Sequence, residues 1–197
     1  VPGIRVGHYT HPDVHRGTTA VLCERGALDE AEVLATKMCA AGRAQRLPPD
    51  EGRGLWALAE IRLRRGDCVG AEEAVRAALP LLKLMRPEQL AAEVTLTEVL
   101  LRQGRAGEAL EIAQQDRARD RVAGTDQLLR ARMLLIEAEA LRACGSGAES
   151  QRSLLAARSW LLDVASNTQE EGARNRYVSC SPGAAKVMSM CELAVQS

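Results

Sequence analysis

Residues 55–79 read LWALAEIRLRRGDCVGAEEAVRAAL. Leu55, Leu58 and Ala59 run at helical spacing into Arg65-Gly66-Asp67, and Ala71, Ala74, Val75, Ala78 and Leu79 leave it at the same spacing. An apolar period near 3.6 on both sides of a glycine predicts helix, tight turn, helix, because glycine enters the left-handed conformation that ends a helix without a Cβ clash. The same signature, a glycine five residues before a small residue, occurs at Gly26 and Ala31, Gly66 and Ala71, Gly104 and Ala109, and Gly145 and Ser150. The intervals of 40, 38 and 41 residues mark a repeat. A repeated helical hairpin cannot bury its apolar face alone and must stack on its neighbours, which predicts an all-α solenoid.

Working outward, Asp29 with Glu32 forms a capping-box pattern ahead of Ala31, Leu34, Ala35 and Met38, predicting a helix over 29–44. Pro48-Pro49 breaks the chain, and Asp50 is expected to cap the helix that ends at Gly66. Pro80 calls for a kink or an early end in the helix after Gly66. Pro87 opens the next helix, which reaches Gly104 through Leu96, Leu100 and Leu101. Thr125 is expected to cap a helix running to about Ala143, and Leu154, Leu155, Trp160 and Leu161 belong to its partner. Ser181-Pro182 predicts a closing helix that covers the last stripe. Before Cys23 the signal changes. Ile4-Arg5-Val6 and Thr18 to Leu22 carry β-branched residues between turn formers, so an irregular or β-hairpin arm over 1–22 precedes a repeat domain over 23–197.

Composition narrows the function. Lys plus Arg equals Asp plus Glu at 26 each, and aromatic residues make up 2%, which disfavours both an electrostatic nucleic-acid surface and base stacking. Three basic residues are lysines, the rest arginines, and phenylalanine is absent, a bias expected of a GC-rich bacterial genome. The six cysteines show no C-x-x-C pair and are expected to be reduced and structural. No signal-peptide pattern opens the chain, and no apolar run approaches the ~18 residues of a membrane span, so the expected compartment is the cytoplasm, without membrane partners.

The unit around Gly66 resembles the tetratricopeptide repeat in a longer-helix version, repeated more weakly around Gly104 with Leu96, Leu100, Ala109 and Ala113. Residues 23–165 are also similar to the repeat region that follows the catalytic domain of many bacterial serine/threonine kinases. These resemblances imply a right-handed superhelix of antiparallel helix pairs acting as a protein-interaction scaffold or regulatory module in signalling. No glycine-rich nucleotide loop, H-R-D or D-F-G appears, so no phosphoryl transfer is expected. Pro2 to Thr10 with Gly17 to Leu22 looks like the opening strands of the L-aminopeptidase/D-esterase family, which implies as an alternative a fragment or fusion of such a hydrolase without its catalytic core. No segment corresponds to that family's nucleophile, and the chain is expected not to be an enzyme.

His8, His11 and His15 cluster in the arm, where Pro12 and Gly17 favour an exposed loop over a metal site. No cofactor is expected. The candidate partner-binding residues form a row. Glu60, Glu98 and Glu139 each stand six residues before a repeat glycine, with Arg64, Arg102 and Arg142 following and Trp56 one turn before Glu60. On successive first helices they would present a charged ladder and an aromatic anchor to a peptide or protein segment. The simpler reading makes each Glu and Arg an intrahelical pair on a solvated face. Apolar stripes at either end of a short solenoid also favour self-association.

Overall fold

The computed structural model describes residues 4–10, 17–23, 28–119 and 127–166, with 187, 189 and 190. Ile4–Thr10 (β1) and Gly17–Cys23 (β2) pair antiparallel, with Val6 opposite Val21. Seven helices follow among the described residues: α1 (Leu28–Ala44), α2 (Pro48–Arg65), α3 (Cys68–Leu81), α4 (Arg86–Arg102), α5 (Ala106–Arg119), α6 (Gln127–Ala143) and α7 (Gly147–Ser166). Each helix packs on the next, and α4 also touches both α2 and α6. Helices α2, α4 and α6 are therefore neighbours in space.

Three turns share one construction. Gly66, Gly104 and Gly145 have φ of 84°, 77° and 83°. In each, the glycine N–H reaches back three residues and the following N–H five, to Leu63 and Arg62, to Leu101 and Leu100, and to Arg142 and Leu141. This is the Schellman arrangement, which satisfies carbonyls that a helix end would otherwise orphan. The residue five after each glycine lies in the first turn of the second helix and is buried: Ala71, Ala109 and Ser150. A larger side chain there would push the paired helices apart. Ser150 adds a bond from its hydroxyl to the Ala138 carbonyl at 2.7 Å. Gly26 lies outside the described residues, as does Thr125.

Some local expectations are corrected. The helix ending at Gly66 begins at Pro48, with prolines in its opening positions and no side-chain cap, because proline's fixed φ already suits a first helical turn. Asp50 sits inside that turn and accepts a bond from Arg53 at 2.8 Å. Asp29 and Glu32 also lie inside their helix, and both carboxylates pair with Arg65 of α2. Pro80 stands one residue before the end of α3.

The core is built from small residues. Ala59, Ala71, Ala78, Ala92, Ala109, Ala138 and Ala140 are fully buried, with Leu82, Leu96 and Leu100 filling between them. Helix α4 is buried on nearly all sides, from Leu90 through Leu100, as befits the middle of a stack. Its buried Glu93 is held by Gln89 at 2.9 Å and Arg86 at 3.4 Å. Val187 and Met190 pack against Leu154, Ala157 and Leu161 of α7, so the segment expected to close the stack contributes to its last layer. Ser181 and Pro182 lie outside the described residues.

Candidate functional site

The equivalent helices α2, α4 and α6 bring the candidate residues to one region, but the chemistry there differs from a free ladder. Arg132 of α6 donates through Nη2 to Glu98 Oε2 of α4 at 2.8 Å and to Glu60 Oε1 of α2 at 3.3 Å. One guanidinium thus spans three helices. The fit follows from the alanine-rich core, which lets the helix axes approach closely enough for a single long side chain to reach both neighbours. Thr95 of α4 completes the cluster. Its hydroxyl accepts from Trp56 Nε1 at 2.9 Å and donates its one proton to Glu60 Oε1, with the Ala91 carbonyl at 3.0 Å as the alternative acceptor.

Glu98 also receives Arg102, four residues on, at 2.9 Å, and Arg102 donates a second bond to the Leu63 carbonyl at 2.9 Å. That carbonyl belongs to the last turn of α2, where positive charge is favoured. Burial by itself would raise the Glu98 carboxyl, but Arg132 and then Arg102 outweigh it and hold it below the usual range. The Arg132 guanidinium is pushed the other way: burial lowers it, and Glu60 and Glu98 together raise it further. Glu98 and Arg132 are therefore both charged at neutral pH.

Trp56, Glu60, Glu98 and Arg102 come together here, joined by Arg132 and Thr95. The expected intrahelical pair forms at Glu98 and Arg102 but not at Glu60, whose carboxylate turns to α4 and α6 instead. Tertiary neighbours outcompete the solvent-exposed partner four residues on. Arg64 and Arg142 are exposed at the ends of α2 and α6, and Glu139 is half-buried on α6. Trp56 packs against the apolar core as well as bonding Thr95.

Arg132 escaped the sequence reading, although it stands seven residues before Glu139, two turns up the same stripe. Arg53 stands at the same distance before Glu60 and behaves alike, reaching Glu88 of α4 at 2.7 Å. The stack is tied elsewhere by the same device. Arg105 grips Glu72 through both carboxylate oxygens at 2.9 and 2.8 Å, and Gln103 donates to the Cys68 carbonyl at 3.2 Å.

Among the described residues no group of three or more His, Cys, Asp or Glu side chains could hold a metal. His11 and His15 lie outside the described residues. Cys39 is buried, Cys68 half-buried and Cys144 exposed, all as free thiols, and burial pushes the Cys39 thiol up. No described helix is long and apolar enough to cross a membrane. No protein-family model matches the chain, and neither the curated proteins nor the solved structures searched contain a match.

Proposed function

We propose that this chain is a protein-interaction module of a cytoplasmic bacterial signalling protein, in which a tetratricopeptide-like right-handed superhelix carries an N-terminal arm and receives a partner segment on its first-helix face. The observation that carries this reading is the pair of exposed arginines Arg64 and Arg142 at the C-terminal turns of α2 and α6, on either side of Arg102, which Glu98 and the Leu63 carbonyl already hold. Each lies two or three residues before a Schellman glycine, so their spacing follows the stacking of the helices. Arg64 and Arg142 are engaged by no ion pair among the described residues, whereas most other arginines on this face are consumed in ties between helices. A row of guanidinium groups recognises carboxylates bidentately, which selects an acidic segment as partner.

The test is a selection of random peptides displayed on phage against the full chain. Enrichment of acidic sequences is expected. Their affinity should fall at least ~10-fold, about 1.4 kcal/mol, with Arg64→Glu and Arg142→Glu together. Peptides that bind wild type and variant equally would place recognition on another face.

A further inference from the structure

Helix α1 exposes a face that α3 and α7 bury. Counting from the repeat glycines, Leu34 corresponds to Ala74 and Ser153, and Met38 to Ala78 and Ala157. Those four counterparts are at most 6% exposed, because α3 lies between α2 and α4, and α7 lies between α6 and the Val187 segment. Leu34 is 50% and Met38 39% exposed, and Val33 beside them is 53% exposed. The main helical neighbour of α1 among the described elements is α2, and none of the described helices is seen to pack on the opposite side. In repeat terms α1 is a second helix, and the described elements before it in the chain are strands β1 and β2.

The charges on that face identify what fits it. Glu30 and Lys37 are seven residues apart, so they lie on the same stripe as Val33, Leu34 and Ala41, and all are exposed. Neither Glu30 nor Lys37 has an ion-pair partner among the described residues. They stand at equal distances on either side of the Val33-Leu34 midpoint. An antiparallel α1 from a second copy, crossing at that midpoint, puts each Glu30 against the other copy's Lys37 and stacks Val33 and Leu34 of both copies at the axis. This self-complementarity is the requirement for an isologous two-fold interface. The geometry points to homodimerisation through α1, with Val33, Leu34 and Met38 as the apolar strip and Glu30 with Lys37 as the register.

A single helix face is smaller than the roughly 800 Å² per partner of a standard complex, which puts the dissociation constant in about the micromolar range. The interface lies apart from the α2, α4 and α6 cluster, so its test is independent of peptide recognition.

Sedimentation equilibrium on the full chain, over roughly 1 to 200 μM, decides the matter. A monomer–dimer equilibrium is expected. Leu34→Glu should leave the chain monomeric with unchanged helicity by circular dichroism, since the position is exposed. Lys37→Glu should weaken the dimer roughly tenfold, and Glu30→Lys with Lys37→Glu should restore it. Leu162→Glu, on the exposed side of α7, should change nothing. A wild type that stays monomeric overturns the proposal. So does a dimer indifferent to Leu34→Glu, or growth beyond dimers that Leu162→Glu abolishes, which would indicate head-to-tail contact instead.

Discussion

Replacing Arg132 by methionine keeps most of the side-chain volume and removes the cation that joins α2, α4 and α6. Two carboxylates then face each other with reduced compensation. Arg132, Glu60 and Glu98 keep 32%, 22% and 27% of their side-chain exposure, so the site is neither solvated nor dry. Exposed pairs contribute about 0.2–1 kcal/mol each, and orphaning a fully buried charge costs about 3–5 kcal/mol. With two partners at 2.8 and 3.3 Å, and with Arg102 still serving Glu98, a loss of about 2 kcal/mol is expected. For a chain of this size that is a melting shift of about 4–8 °C. Urea and thermal unfolding followed by far-ultraviolet circular dichroism measure it. A cycle with Glu98→Gln isolates the coupling, since the double variant should lose less than the sum of the two singles. The pH dependence supplies a second check. Because Glu98 is held below its ordinary range in the fold, its ion pairing stabilises the protein above the unfolded carboxylate range and fades as the pH falls through the lowered value. The gap between wild type and Arg132→Met should therefore narrow in acid. A variant within about 0.5 kcal/mol of wild type at neutral pH, or a gap that widens in acid, would refute the reasoning.

Gly66→Ala should cost about 1–2 kcal/mol, all of it backbone strain, because a Cβ there meets nothing within 4 Å while φ is 84°. Gly54→Ala should be more damaging in chemical denaturation, since its Cβ would fall 2.8 Å from the Cys39 backbone nitrogen and force α1 away from α2. Glu72 is drawn down to about 2: burial opposes this, but the hydrogen bonds from Arg76, Gln103 and Arg105 prevail. Its contribution should accordingly persist well below pH 4.5, and Glu72→Gln should flatten the acid side of the stability curve in denaturant titrations between pH 2 and 5. Trp56→Phe should cost about 1 kcal/mol by deleting the indole donor to Thr95, and Thr95→Val should recover part of that loss in a double-mutant cycle.

The turns were legible because their cause is local. Glycine at φ near 80° followed five residues later by a small residue is a backbone statement, and Gly66, Gly104 and Gly145 carry it without help from distant contacts. The helix starts were less legible. Asp29 and Asp50 carry the residue type of a cap, yet each lies inside its helix, because the long-range pull of Arg65 and the pre-set φ of Pro48 act on the same few residues. The charged row was found as a row, since a fixed offset from the glycine is visible in one dimension. Its pairing was not. Which of several arginines meets Glu60 depends on how α2, α4 and α6 stack, a long-range relation that no offset along the chain records.

Small core residues and long cationic side chains are thus one solution. With aromatic residues at 2% of the chain, the layers cannot be held by ring packing, and close helix approach through alanine takes its place. Close approach brings arginine within reach of carboxylates on the next helix and the one after, which is what Arg53, Arg105 and Arg132 exploit. Each such tie fixes the rotation of one helix against another, a specificity that smooth alanine faces do not supply. The cost is that charges so used are withdrawn from recognition. On the readings proposed above, partners are met by the charges and apolar residues left outside these ties: at the helix ends that carry Arg64 and Arg142, and along the exposed side of α1.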